Sequence, residues 1–402
     1  MRAELEPGFA EARPRAGVLH RPLSVLQVDP SLFTAPYDAA LSAGLAANGI
    51  NVLWATRGLR PGEEDVLAAS RVDRFFYPLT DGARRRTGRV ARVLKGVEHA
   101  AGLRGLTRRA ERDGHDLVHF QWAALPLLDR RAIARIRQSR PVVMTVHDIQ
   151  PFNGRPVSRL QRSGYEDVLA AVDHLIVHTA EGRDALIERG LDEATISIVP
   201  HGLLPLMSAA PQPRPAPERW RVVLFGRLQA YKGADLLVEA LGRIDPATRA
   251  RLEIIVAGEA LMPVEPIRDR ARELGLGAEF VLRDRRLGEE EMAALLRSAD
   301  AFIFPYRTID ASGVLHLVAE LGRWLIASDL GAFRTMLCEA PGAGALVPPE
   351  DVDALAGAIV SSIDRRPTQP PAHGVPDWQE IGASTRAAYE KALLAHLQGG
   401  RR

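Results

Sequence analysis

The stretch FGRLQAYKGADLLVEAL (225–241) holds four residues whose types and spacing suit one chemistry. Gly226 and Gly233 permit tight turns and close approach of backbone to a ligand. Arg227 and Lys232 lie five residues apart between them. Gly233 opens a helical pattern with Leu236, Leu237, Ala240 and Leu241 on one face, and a helix N-terminus presents free N–H groups and a positive dipole end. Two fixed cations beside that terminus make a site for a diphosphate, Arg by bidentate contact and Lys as a compact charge. The choice of Lys is itself unusual: of 52 cationic side chains only Lys95, Lys232 and Lys391 are lysines. The spacing is neither G-x-x-x-x-G-K-[ST] nor G-x-G-x-x-G. On residue types alone, Arg227 and Lys232 are equally well read as surface cations at a βα turn.

Positioning such a turn requires a strand before it and a helix after it, and that alternation runs through most of the chain. Short apolar runs predict strands at 24–28, 51–56, 116–122, 141–147, 174–179 and 196–200, with helices near 37–48, 127–138, 157–172 and 181–189. The segment LLPLMSAAPQPRPAPER (203–219) breaks the pattern with five prolines and reads as a linker. Alternation then restarts, with strands at 221–226, 252–258, 279–283, 301–305, 325–329 and 344–348 and helices at 234–243, 266–274, 289–298, 313–322 and 351–364. A second Pro-rich break (365–376) precedes a last helix near 378–398. Apolar strands with crossover helices imply parallel sheets buried on both faces. The expected fold is therefore α/β, two doubly wound Rossmann-like domains facing a central cleft. The expected boundaries are a loose leader at 1–22, a first domain at 23–203, a linker at 204–219, a second domain at 220–374 and a closing segment at 375–402. Ligands of such sheets bind beyond the carboxyl ends of the strands, so the cleft is the expected site.

Composition bounds the remainder. At 402 residues, two domains are the default. A net charge of +2, from 52 cationic and 50 anionic side chains, argues against a nucleic-acid binder. A lone Cys338 excludes an internal disulfide framework and fits a reducing compartment. No apolar run approaches a membrane span, and residues 1–22 carry no signal-like apolar core, so the expected location is the cytoplasm. One segment suggests a surface partner: residues 84–112 hold ten Arg or Lys and two Glu, interleaved with Val90, Val93, Leu94, Val97, Leu103 and Leu106. Such a helix either rests on anionic lipid at the inner face of the membrane or packs its apolar stripe on the sheet.

The stretch GRLQAYKGADLLVEAL resembles the G-R-x4-K-G segment of retaining GT-B glycosyltransferases, the "group 1" or family 4 class. SGVLHLVAELGRWLIASDLGAF (312–333) resembles the donor-binding segment of that class. The resemblance implies that Arg227 and Lys232 grip the diphosphate of a nucleotide-sugar and stabilise it as it departs, in the turn that begins at Gly226. It implies that Glu320 holds the ribose hydroxyls, and that Gly313, Val314 and Leu315 offer backbone N–H groups to phosphate and sugar. Arg286 and Leu287 fall where the class flanks the nucleobase, and Glu259 lies in the strand-end turn VAGEA that faces the diphosphate. The first Glu of the class motif E-x7-E is replaced by Ser312, with Asp310 two residues away, which changes how the donor sugar is gripped. In VVMTVHDIQPF (142–152), His147 falls where many members carry a histidine that bonds the sugar or the transition state. The loop after the first strand lacks the usual glycine pair; Asp29 and residues 31–38, Tyr37 and Asp38 among them, are then expected to contact the acceptor.

The implied activity is a retaining, metal-independent transfer of a sugar from a nucleotide-diphosphate donor, UDP- or GDP-linked, to an acceptor hydroxyl. A glycan or lipid-linked acceptor in surface polysaccharide or glycolipid assembly is expected, with no further cofactor and no D-x-D or histidine cluster for a metal. The architecture also serves nucleotide-sugar epimerases and phosphorylases, and the Ser312 replacement leaves room for a partner subunit that kept the fold without catalysis.

Overall fold

The structure, a computed structural model, describes residues 22–399 apart from 62, 82–87, 150–163, 215, 217 and 310–311. Thirteen strands form two parallel sheets among the described residues. The first contains β1 (Leu23–Asp29), β2 (Ile50–Arg57), β3 (Arg71–Phe76), β4 (Leu117–Phe120), β5 (Val142–Val146), β6 (His174–Val177) and β7 (Ile196–Ile198), in the order β3-β2-β1-β4-β5-β6-β7. The second contains β8 (Trp220–Phe225), β9 (Leu252–Ala257), β10 (Phe280–Arg283), β11 (Ala301–Phe304), β12 (Trp324–Ser328) and β13 (Gly344–Val347), in the order β10-β9-β8-β11-β12-β13. In both sheets the first strand is central and the order reverses beside it. This is the doubly wound plan, and its switch point lies between β1 and β4 in one sheet and between β8 and β11 in the other.

The apolar runs follow from burial on two faces. In β1, Leu26 and Val28 enter the core on one side of the sheet, while Leu23 and Val25 enter the core on the other. In β8, Val222 and Leu224 face one way and Val223 the other. Fully burying each such side chain contributes about 1.5–3 kcal/mol. The strand β3, RVDRFF, is absent from the apolar pattern because it is an edge strand with exposed or half-buried charged positions.

The last helix, Trp378–Gly399, covers the first sheet although it follows the second in sequence. Ile381, Ala388, Tyr389 and Ala392 join the core formed by Leu23, Val25, Leu41 and Leu45. Its crossing with the helix Ala35–Ala47 is so close that a Cβ at Gly382 would stand 2.1 Å from the Gly44 carbonyl oxygen. Arg386 and Asn48 tie the same pair, by Arg386 Nη1–H to the Asn48 carbonyl at 2.7 Å and Asn48 Nδ2–H to the Gln379 carbonyl at 2.8 Å. The Pro-rich segment is held against the second sheet's helices: Gln212 N–H donates to the Ala294 carbonyl at 2.8 Å, and Arg214 pairs with Asp300 at 2.7 Å. Among the described residues no helix is long and apolar enough to cross a membrane.

The basic segment forms the helix Arg89–Arg112, and its two halves differ. Leu103 and Leu106 are buried against the first sheet. Val90, Val93 and Val97 are 82%, 71% and 61% exposed, and Leu79, on the preceding segment, is 59% exposed.

Candidate active site

Three strand ends meet at the turn after β8. Gly226 has φ 115°, and a Cβ there would lie 2.5 Å from Nζ of Lys232 and 3.2 Å from Cγ2 of Val314. At Gly258, which follows β9, a Cβ would lie 2.1 Å from the Gly226 carbonyl oxygen. At Gly233, φ 68°, it would lie 1.9 Å from the carbonyl oxygen of Pro305, after β11. Glycine is required at Gly258 and Gly233 because backbone meets backbone there. The turn closes with a 3-10 segment, Ala230–Lys232, and leads into the helix Ala234–Arg243.

Lys232 is buried, 6% exposed, and no carboxylate among the described residues lies within salt-bridge reach of it. Its Nζ stands 5.2 Å from the ring centroid of Tyr306. Burial first, and then the positive charge of Arg227, pull its pKa down to about 7. Arg227 is exposed and has no ion pair or hydrogen bond with a described residue. Tyr231 connects this turn to the first domain. Its phenol is pushed up to about 12 by burial and by the nearby Asp148 carboxylate, with Arg227 opposing. Asp148, after β5, and Arg227, after β8, thus both lie close enough to the Tyr231 phenol to act on its charge.

Ser312 caps the helix Gly313–Val318, its Oγ accepting from the Leu315 N–H at 3.3 Å. Val314 reaches the Gly226 turn, while Glu320 lies exposed in a 3-10 turn, Ala319–Leu321, without an ion partner among the described residues. The expected helix over 313–322 is thus a shorter helix followed by this turn. Leu287 is buried in the second domain's core, and Arg286 and Glu259 are exposed. Asp310 lies outside the described residues, as does 157–163 of the helix expected near 157–172.

On the first-domain side, His147 is 8% exposed and both its ring nitrogens are engaged. Nε2 lies 3.0 Å from Oε1 of Gln121, and Nδ1 lies 3.1 Å from Nε2 of His178. Trp122 stacks on the ring at 5.0 Å, and Tyr37 meets it edge-on at 4.9 Å. Tyr37 is packed among His147, His178, His201 and Trp378. Asp38 is fully buried; burial and the neighbouring Asp29 carboxylate push its pKa well up. Asp29 accepts from the N–H groups of Ser31 and Thr34 at 3.2 Å each, which fixes the loop. Neither Tyr37 nor Asp38 is open to an acceptor in this arrangement; a side chain packed into the core serves the loop's shape.

The structure assembles residues that the sequence pattern does not group. His178, His201 and, from the second domain, His316 join His147. The signal was present in the motifs V-H-D, V-H-T and P-H-G, which place a histidine after β5, β6 and β7. Parallel register then makes the first two neighbours, since Val146 pairs with Val177. Among the described residues no group of three or more His, Cys, Asp or Glu side chains is arranged to hold a metal ion.

Two facing doubly wound domains with the cleft at their strand ends define the GT-B architecture. Solved structures agree. HepE of Anabaena, in complex with UDP and glucose, superposes with TM-score 0.62 at 15% identity, over 94% of this chain and 98% of that one. A sucrose-phosphate synthase from Thermosynechococcus elongatus gives TM-score 0.62 at 18% identity, over 94% and 98%. At such identities the likeness shows the fold alone.

Two family models match in sequence: "Glycosyltransferase Family 4" over residues 39–203 and "Glycosyl transferases group 1" over residues 219–365. The chain belongs to this family of GT-B glycosyltransferases. A D-inositol 3-phosphate glycosyltransferase of Geodermatophilus obscurus is 31% identical over 58% of this chain and 56% of its own length. A phosphatidyl-myo-inositol mannosyltransferase of Mycolicibacterium smegmatis is 30% identical over 46% of this chain and 44% of its own. The chain thus spans about half the length of these curated relatives.

Proposed function

We propose that the protein transfers a sugar from a nucleotide-diphosphate donor to an acceptor hydroxyl, with retention at the anomeric carbon and without a metal ion. The observation that carries this reading is Lys232: a buried cation with no carboxylate partner among the described residues, beside an equally unpaired Arg227, where three strand ends converge. A buried unpaired charge is costly. A diphosphate in the turn removes that cost and gains charge-assisted hydrogen bonds.

In the transfer, the bond from the anomeric carbon to the diphosphate oxygen breaks while the acceptor oxygen bonds that carbon. The acceptor's proton passes to the leaving phosphate. Arg227 and Lys232 stabilise the charge that develops on the diphosphate. Glu320, exposed and unpaired among the described residues, suits the vicinal hydroxyls of the ribose. Ser312 stands where the class carries a glutamate. Its oxygen caps the Leu315 N–H and keeps an O–H hydrogen and a second lone pair to offer the sugar.

The relatives' names point to inositol phosphates and phosphatidylinositol as first acceptors to test. The exposed valines of the helix Arg89–Arg112, beside exposed Arg92, Arg104 and Arg108, support a peripheral contact with anionic membrane, where a lipid-linked acceptor is reached.

The test is to incubate the protein with UDP-, GDP- and ADP-sugars, with and without these acceptors, and to measure released nucleoside diphosphate and glycosylated product. Release with one donor supports the reading. No release, together with no thermal shift from any nucleotide, overturns it.

A further inference from the structure

A chain of buried side chains runs from the cleft to the closing helix. The Val199 carbonyl, His178, His147, Gln121, Gln27, Tyr389, His119 and Thr145 follow one another at 2.8–3.1 Å: 2.9 Å from His178 Nδ1 to the carbonyl, 3.1 Å from His178 to His147, 3.0 Å from His147 to Gln121 and 3.0 Å from Gln121 to Gln27. The remaining links, Gln27 to Tyr389 Oη, Tyr389 Oη to His119 Nδ1 and His119 Nε2 to Thr145 Oγ1, are 2.8 Å each. Gln27, Gln121, His119 and Tyr389 are wholly buried.

Which atoms carry hydrogens follows from one fixed end. The Val199 carbonyl only accepts, so Nδ1 of His178 carries a hydrogen. Burial disfavours a second proton on His178 and on His147. Nε2 of neutral His178 is then a lone pair, and Nδ1 of His147 must donate to it. We propose that His178, pinned by the Val199 carbonyl, is a positioning residue that holds His147 as its Nδ1–H tautomer, so that Nε2 of His147 is an acceptor.

The rest of the chain follows the same logic. Nε2 and Oε1 of Gln121 are both acceptors and cannot bond. With Oε1 facing Nε2, His147 would need a hydrogen on Nε2, and whichever ring donates across the His147–His178 link would then carry two hydrogens as an imidazolium. In the neutral chain the amides of Gln121 and Gln27 are turned by half a revolution, which exchanges oxygen and nitrogen at the same places. Gln121 then donates to His147, Gln27 to Gln121, Tyr389 to Gln27, His119 Nδ1–H to Tyr389, and Thr145 to His119. Every link has one donor and one acceptor. The number of protons on the His147–His178 pair thereby sets the direction of bonds as far as the closing helix.

The use of that lone pair rests on the glycosyl-transfer reading: the Gln121 amide holds it in the free protein, a sugar hydroxyl takes it only by displacing that amide, and in either case it supplies no proton to the leaving diphosphate. The tautomer does not rest on it. The experiment is two-bond 1H–15N correlation of the full chain labelled with 15N-histidine at pH 7.5, with His147 and His119 signals assigned from H147Q and H119Q. Nδ1–H on both His147 and His119 is expected. Nε2–H on His147, or hydrogens on both of its nitrogens, overturns the proposal. In H178Q the amide oxygen replaces the lone pair, and His147 should remain Nδ1–H. In H178F it should lose its single tautomer, with kcat down at least tenfold and KM for the nucleotide-sugar within twofold; an unchanged tautomer in a folded H178F overturns the proposal. If wild type shows the expected tautomers but no turnover, the transfer reading falls and the positioning by His178 stands.

Discussion

The imidazole of His316, on the second domain, stacks on that of His201, on the first, with centroids 4.2 Å apart and planes 14° from parallel. Both nitrogens of His316 are buried without a partner among the described residues. Burial, then the proximity of His178, pulls its pKa down to about 3. His119 and His178 are likewise lowered to about 3 and about 4, and His147 and His201 well below the ordinary value.

Each of these groups binds its proton more readily in the unfolded chain, whose histidines titrate near 6.5. The stability they support is therefore complete above pH 6.5 and is lost as pH falls toward the folded values. The slope approaches about 1.4 kcal/mol per pH unit for each histidine. Urea melts between pH 7 and 5 should show a steep loss that the carboxylates do not explain, since a buried carboxyl with a raised pKa such as Asp38 gains stability as pH falls. His316→Leu removes two unpaired polar atoms from the interface, so it should leave stability at pH 7 equal or higher. It should also make the acid slope shallower by about one histidine's worth. An unchanged slope would show that His316 is already charged or solvated in the native state.

Lys232 titrates in the opposite sense when nucleotide binds. With its pKa held at about 7 by burial and Arg227, much of it is neutral at pH 8. A bound diphosphate favours the ammonium, so binding takes up close to one proton at pH 8 and few at pH 6. Calorimetry of nucleoside diphosphate binding in two buffers of different ionisation enthalpy reads that uptake. Affinity should weaken above pH 7, by up to about tenfold per unit. Lys232→Ala should cost about 10–100-fold in affinity, the worth of a charge-assisted contact, and should abolish the proton uptake. Unaltered affinity in that variant would refute the diphosphate assignment.

The two parallel sheets and the tight Gly-Arg-Lys-Gly turn after β8 were readable because apolar runs and that spacing are local patterns. The histidines each carried a local strand-end signal, but their grouping did not show for the opposite reason. His147, His178 and His201 are 31 and 23 positions apart, and only the strand register brings them side by side. His316 arrives from another domain. Tyr389 is equally remote: nothing around it marks a hydroxyl that meets Gln27, 362 positions earlier. Edge strand β3 escaped because pairing on one side leaves its charged residues free to face water. The helix Arg89–Arg112 had two open readings; its second half packs Leu103 and Leu106 on the sheet, and its first half leaves Val90, Val93 and Val97 exposed.

The glycines of the turn separate packing from binding. At Gly233 an added Cβ meets the Pro305 carbonyl, which is backbone and cannot yield, at a left-handed φ of 68°. Gly233→Ala should destabilise the protein by about 3 kcal/mol or more. At Gly226 the Cβ meets Nζ of Lys232, the end of a flexible side chain. Gly226→Ala should cost only about 1–2 kcal/mol, the strain of its positive φ, yet weaken nucleotide binding at least tenfold by displacing the cation. Thermal unfolding and nucleotide titration of both variants check the contrast.

The exposed valines give a last test. Val90, Val93 and Val97 lie on the first half of the helix Arg89–Arg112, and Leu79 is exposed on the segment before it. Lys95 pairs with Asp81 at 2.9 Å, whereas Arg92, Arg104 and Arg108 have no partner among the described residues. Each free cation near an anionic surface is worth about 1 kcal/mol, and inserting the valines adds hydrophobic transfer. The protein should sediment with vesicles containing phosphatidylserine and remain in solution with pure phosphatidylcholine. Added salt should weaken the binding, because the electrostatic share is screened. The V90S/V93S/V97S variant should lose about 10–100-fold in partitioning while nucleotide affinity stays unchanged. These valines pack on no core, so the variant should fold normally. Sedimentation indifferent to both lipid charge and the three valines would leave the helix a solvated cover of the first sheet.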